Sequence, residues 1–162
     1  MSISRKLAQR LQFLARVTRK ECQHLTSTDQ RLFDQPFTLE RAKQLETDLD
    51  LSERVEAFVG RFGRLQDTLS DKVLPMLLRA LSETPAAIID NLDRAERLGL
   101  LDSVDEWLAT RQLRNQMVHE YVEDLSVLTS ALQAGHDFVP VLLAVADKLI
   151  AEIDLRLQAG RP

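Results

Sequence analysis

The stretch Ser52-Glu-Arg-Val-Glu-Ala-Phe-Val-Gly-Arg-Phe-Gly-Arg-Leu-Gln-Asp-Thr-Leu-Ser-Asp-Lys-Val-Leu-Pro-Met-Leu77 decides the fold class. Its apolar residues Val55, Phe58, Val59, Phe62, Leu65, Leu69, Val73 and Leu77 recur at steps of one, three or four, the signature of one helical face. Ser52 is the expected N-cap. Pro75 is expected to kink the last turns, because it donates no backbone hydrogen bond and crowds the preceding turn.

Outward from this element the same period continues. Ile3, Leu7, Leu11, Leu14, Cys22 and Leu25 mark an amphipathic first helix ending near Ser27-Thr28-Asp29. Asp34-Gln35-Pro36 interrupts it, and Thr38 opens a helix running to about Asp48. Thr84-Pro85 has the form of an N-cap followed by proline at the first helical position, and Gly99 is placed to end the short helix that follows. A motif helix should start at Asp102-Ser103. Asp124-Leu125-Ser126 precedes a final helix to about Leu157, which Pro140 is expected to split. No strand-like alternation is sustained, so the expectation is an all-α, up-and-down helical bundle in a single domain over 1–162.

Five glycines, five prolines and 44% apolar residues in a chain of 162 describe a globular protein large enough to bury a core without disulfides or a structural metal. The single cysteine, Cys22, excludes an intramolecular disulfide and a multi-cysteine zinc site, and it sits on an apolar face more suited to core than to nucleophile. The N-terminus is too charged for a signal peptide and too short for a membrane span, so no membrane association and a cytoplasmic location are expected. The net charge of −4 gives no general attraction to nucleic acid, and long basic tracts are absent; any RNA contact must rest on a local patch. His24 and His136 are isolated, no phosphate-binding glycine loop exists, and no metal or cofactor is expected.

One segment breaks the apolar pattern. On the motif helix, Val104, Trp107, Leu108, Val118 and Val122 are expected to share a face, with Arg111, Asn115 and His119 inside the same stripe and Arg114 and Tyr121 along its edge. Polar groups there cost free energy unless they are paired or opened onto a cleft. Taken singly, each has an ordinary explanation: an arginine paired with a carboxylate, a satisfied core histidine, a tyrosine bonded to backbone. Taken together, Arg114-Asn115-Gln-Met-Val-His119-Glu-Tyr121 is an Arg-X4-His-X-Tyr motif that resembles the signature of the HEPN superfamily, most closely the HepT-type toxins.

The resemblance covers about residues 50–158 and implies a four-helix-bundle, HEPN-like core there; residues 1–45 read as an extra N-terminal helical segment, either part of the bundle or an addition to it. It implies a metal-independent endoribonuclease in which Arg114 and His119 are catalytic, acting as a homodimer whose two motifs face a shared cleft. It also implies a cognate minimal nucleotidyltransferase antitoxin, with Tyr121 the residue it AMPylates; a nucleotide beside Arg114 would block the site and neutralise its charge.

The residues suit that chemistry. RNA cleavage needs a base for the 2′-hydroxyl, an acid for the leaving oxygen and a cation for the charge developing on phosphorus. Histidine titrates near neutrality, and arginine is a permanent bidentate phosphate ligand. Asn115, one turn from His119, could orient it or the phosphate. Arg114 and His119 lie about 140° apart on an ideal helix, so they converge only if the helix loosens or ends within the motif.

Arg61, Arg64, Asp67 and Asp71 form a second polar set, on the long helix. It is either a solvated ion-pair ladder or a cleft wall in which Arg64 or Asp67 supports the site and Asp67 pairs with Arg114. Two alternatives to the ribonuclease remain: a noncatalytic HEPN module that binds a nucleotide or docks the transferase, and a purely structural helical bundle.

Overall fold

The computed structural model describes residues 3–119 and 123–159. Those residues are all-helical, with no strand among them. In order, the elements are α1 (Arg5–Leu32), α2 (Leu39–Lys43) with a 3₁₀ turn at Gln44–Glu46, α3 (Leu49–Asp67), a π-helical segment at Thr68–Val73, α4 (Leu74–Ala80), α5 (Ile88–Arg97), α6 (Val104–His119) and α7 (Leu125–Ala159).

The caps show how local chemistry sets these bounds. Ser4 and Thr38 accept from the backbone N–H three residues on, which opens α1 and α2. Asp48, not Ser52, caps α3, its Oδ1 accepting from Leu51 N at 3.0 Å; Ser52 falls one turn inside. Thr84-Pro85 does not open α5. That helix starts three residues later, and the buried Asn91 side chain folds back to bond both N and O of Ala86. Gly99, at φ 75°, ends α5 in a Schellman arrangement, with Gly99 N donating to Glu96 O and Leu100 N to Ala95 O. Ser103 caps α6, and Asp124 caps α7 through the N–H groups of Ser126 and Val127.

One of the two prolines departs from expectation. Pro140 does not split α7, which runs unbroken for 35 residues. It is solvent-exposed, so water can bond the carbonyl it leaves without a donor, while Leu132, Val139, Leu142 and Ala146 hold the helix to the core. Pro75 is preceded by the π segment, where Leu74 N reaches back five residues to Leu69 O. The widened turn buries Thr68, Leu69 and Ser70 in succession. Such segments occur often at functional sites.

Packing closes around α1, α3, α6 and α7. Helix α1 lies against α3 and α7, and α6 lies against α7 and α3, while α2 packs on α7 and α5 bridges α4 and α6. The core runs from Leu11, Leu14, Leu25 and Leu32 of α1 through Phe58, Phe62 and Leu65 of α3 to Trp107 and Met117 of α6 and Leu128, Leu132 and Leu142 of α7. The first helix therefore packs into the same core as α3, α6 and α7. It also extends beyond Asp29 to Leu32, which is fully buried.

Helix α6 presents a different face from the one its pattern suggests. The buried residues are Val104, Trp107, Thr110 and Met117, whereas Val118 is 50% exposed and Asn115 faces solvent. Its apolar residues are spread around the axis, so periodicity hardly fixes its rotation; the two large anchors Trp107 and Met117 do. With those anchors inward, Arg114 lies on the core-facing side, three residues before Met117.

Candidate functional site

Arg114 reaches from α6 to α3, where Nη1 lies 2.7 Å from Asp67 Oδ1. It crosses α3 at Gly63: a Cβ at that position would overlap Arg114 Nε and sit 2.8 Å from Cζ. Only a residue without a side chain leaves this path open, which is a physical reason for a glycine buried in the middle of a helix. The two side chains are about one-third exposed, so the ion pair contributes at most about 1 kcal/mol to stability. Its effect is positional, holding the guanidinium at one point over α3.

Around that pair lies an open groove of about 580 Å³, lined by Glu21, Gly60, Arg64, Asp67, Thr68, Asp71, Lys72 and Arg114. Four elements build it: α1, α3, the π segment and α6. Arg64, Asp67 and Arg114, which the sequence suggests as parts of one site, are thus in one place. Three cations and three carboxylates share the groove. It suits an anion that can compete with Asp67 for Arg114 better than one drawn in by a strong positive field.

Glu21 is the member that sequence patterning misses. Its Oε1 accepts from Thr68 Oγ1 at 3.1 Å, and its Oε2 is buried without a hydrogen-bond partner among the described residues. Burial pushes this carboxyl above its ordinary range, against the opposing pull of the Thr68 bond and of the Arg64, Lys72 and His24 charges. Lys72 and Thr68 escape notice for the same reason as Glu21: each reaches the groove only through the π turn or across from α1. Gly63, a glycine inside a helix beside the core residue Phe62, is the one signal that could have pointed there.

Other expectations resolve differently. Arg61 does not extend the Arg64-Asp67 set but turns to α1, donating to His24 O at 3.2 Å and to Thr28 Oγ1. Asn115 is exposed and does not line the groove. His119 is the last described residue of α6; its side chain and Tyr121 lie outside the described residues, and so does the convergence of Arg114 with His119.

His136 is not isolated. Its Nδ1 lies 2.7 Å from Asp29 Oδ1, and its ring stacks on Phe33 with centroids 4.2 Å apart. Cys22 is pushed up to about 11 by burial and by the Asp147 and Glu21 charges, which keeps the thiol protonated at neutral pH and unsuited to nucleophilic attack. Among the described residues no group of three His, Cys, Asp or Glu could hold a metal ion. No described helix is long and apolar enough to cross a membrane. A second cleft, of about 400 Å³ between the α5–α6 connection and α7, is mainly apolar, and Asp102 engages its one cation, Lys148, at 3.3 Å.

No family model, curated protein or solved structure matches the chain.

Proposed function

We propose that this chain is a HEPN-type endoribonuclease of the HepT toxin class, with a four-helix HEPN-like core in which α1, α3, α6 and α7 are the principal helices. The observation that carries the reading is the placement of Arg114. The motif arginine is core-facing, crosses α3 at a glycine, and is held by Asp67 beside Arg64 in an open polar groove.

In the proposed mechanism Arg114 and Arg64 hold the phosphodiester, and Asp67 fixes the Arg114 guanidinium until the phosphate replaces it. His119 takes the proton from the ribose 2′-hydroxyl, and O2′ attacks phosphorus. The bond to the 5′-oxygen breaks, and that oxygen takes a proton from a general acid. The products are a 2′,3′-cyclic phosphate and a 5′-hydroxyl end. One histidine cannot serve both transfers at once, so a second copy of the chain would supply the acid, as in the family's homodimers. A nucleotidyltransferase antitoxin that AMPylates Tyr121 would silence the enzyme by occupying the phosphate site with an attached anion.

The test is incubation of purified protein with mixed-sequence RNA in excess chelator. Cleavage to cyclic-phosphate ends, lost in His119→Ala with helical circular dichroism unchanged, is the expected result. Wild-type protein inert towards a broad panel of RNAs would overturn the ribonuclease. It would favour the noncatalytic module, which the even balance of charge in the groove also suits.

A further inference from the structure

The first 20 residues contain six basic side chains, Arg5, Lys6, Arg10, Arg16, Arg19 and Lys20, and no Asp or Glu. The chain as a whole has 21 basic residues outnumbered by 25 acidic ones, so this is a strong local departure. All six are exposed on α1. At about 100° per residue they occupy roughly half of the helix circumference, opposite the buried Leu11, Leu14, Ala15 and Thr18. Between them lies Phe13, 46% exposed, with the Arg10 guanidinium 5.3 Å from its ring centroid. Arg79 of α4 joins Lys6, Arg10 and Phe13 along a shallow groove. Only Arg19 is drawn off by a carboxylate in a described ion pair, that of Asp154 at 3.2 Å.

The ridge runs about 22 Å from Arg5 to Lys20. Its inner end is continuous with the site, because Glu21, the next residue, lines the Arg114 groove together with Lys72. We infer that this face of α1 is the RNA-docking surface of the protein, binding the phosphate backbone of a single strand and leading it to the groove. Spaced cations beside an exposed aromatic ring match a flexible polyanion that also offers bases for stacking. An anionic membrane is the poorer match, since Phe13 is the one large apolar residue exposed on this face and an interfacial helix needs a broad apolar one. The choice of RNA rests on the ribonuclease reading; the charge and exposure of the ridge do not.

The experiment is fluorescence anisotropy of a labelled 20-nucleotide poly(U) against the full chain in its His119→Ala form, at several salt concentrations. In that background Arg10→Gln, Arg16→Gln and Lys20→Gln together should flatten the slope of log K against log salt by about 2, as expected for three phosphate contacts on a single strand. A control of equal charge, Lys43→Gln, Arg97→Gln and Arg156→Gln, should leave that slope unchanged. In the cleaving protein the α1 triple should raise KM at least tenfold with kcat unchanged. Equal slopes for both triples would overturn the inference even if the enzyme cleaves RNA. So would binding to phosphatidylserine vesicles with none to poly(U). A flattened slope in a protein that cuts no RNA would keep the docking surface and remove the ribonuclease.

Discussion

Two side-chain pairs of equal length join distant helices in this molecule, and their surroundings differ. Arg114–Asp67 and His136–Asp29 both close at 2.7 Å. The first lies in an open groove among other charged groups and passes over a glycine. In the second, Asp29 is largely buried and the imidazole stacks on Phe33, whose ring in turn packs edge-on against the core residue Phe58. A short distance therefore does not mark a site. What sets the Arg114 pair apart is the open space and the other charged groups beside it, whereas the His136–Asp29 contact, stacked on Phe33, ties one helix to another.

The largest expected effect breaks the first pair: on the proposed ribonuclease reading, Arg114→Ala should lower the rate of RNA cleavage on the order of 10²–10³-fold, the usual cost of removing one transition-state donor. Melting should move little, because the exposed pair contributes little stability.

Gly63→Ala sharpens the contrast. The added methyl displaces the Arg114 guanidinium, whose flexible end can swing away, so cleavage should fall roughly tenfold, the effect of about 1.4 kcal/mol in the barrier. Replacing glycine by alanine within a helix should offset the crowding by up to about 1 kcal/mol. Thermal melting alongside kinetics would show activity and stability moving apart; a joint collapse would mean that Gly63 serves packing alone.

His136→Ala should do the reverse, costing about 1–2 kcal/mol in denaturant unfolding through the lost stack and hydrogen bond while leaving cleavage unchanged. Loss of cleavage with stability intact would place His136 in the chemistry and erase the distinction.

Glu21→Gln gives the smallest effect, one of pH dependence. The folded state raises the Glu21 carboxyl above 4.5, so between that value and its folded value the native protein binds more protons than the unfolded chain. Stability attributable to Glu21 therefore falls as pH rises through that window and stays lower above it. Glutamine still accepts from Thr68 and carries no charge, so the variant should be slightly more stable than wild type at pH 7 and no more stable below 4.5. A gain independent of pH would show that burial of charge is not the cause.

Much of this was legible in the chain. The three- and four-residue spacing of Val55, Phe58, Phe62, Leu65 and Leu69 announces an all-helical protein, Gly99 and Asp124 announce ends and starts, and Arg64 and Asp67 are visible as polar residues set among core ones. The basic half of α1 was legible too, though it is lost in a net charge of −4. Less legible was the α6 face: its apolar residues surround the axis, and Asn115 looked inward where the structure turns it out.

The sequence by itself determined the helical class and the short list of side chains able to handle a phosphate, because period and functional-group chemistry are local properties. Tertiary structure alone decided that Arg114, and not Asn115, faces α3. Trp107 and Met117 fix the rotation of α6 only once α3 and α7 are there to bury them. The same packing decided that Gly63 is the place where Arg114 crosses and that Glu21 and Lys72 share its groove. Residues tens of positions apart meet through the shape of a core, and no spacing along the chain encodes that shape.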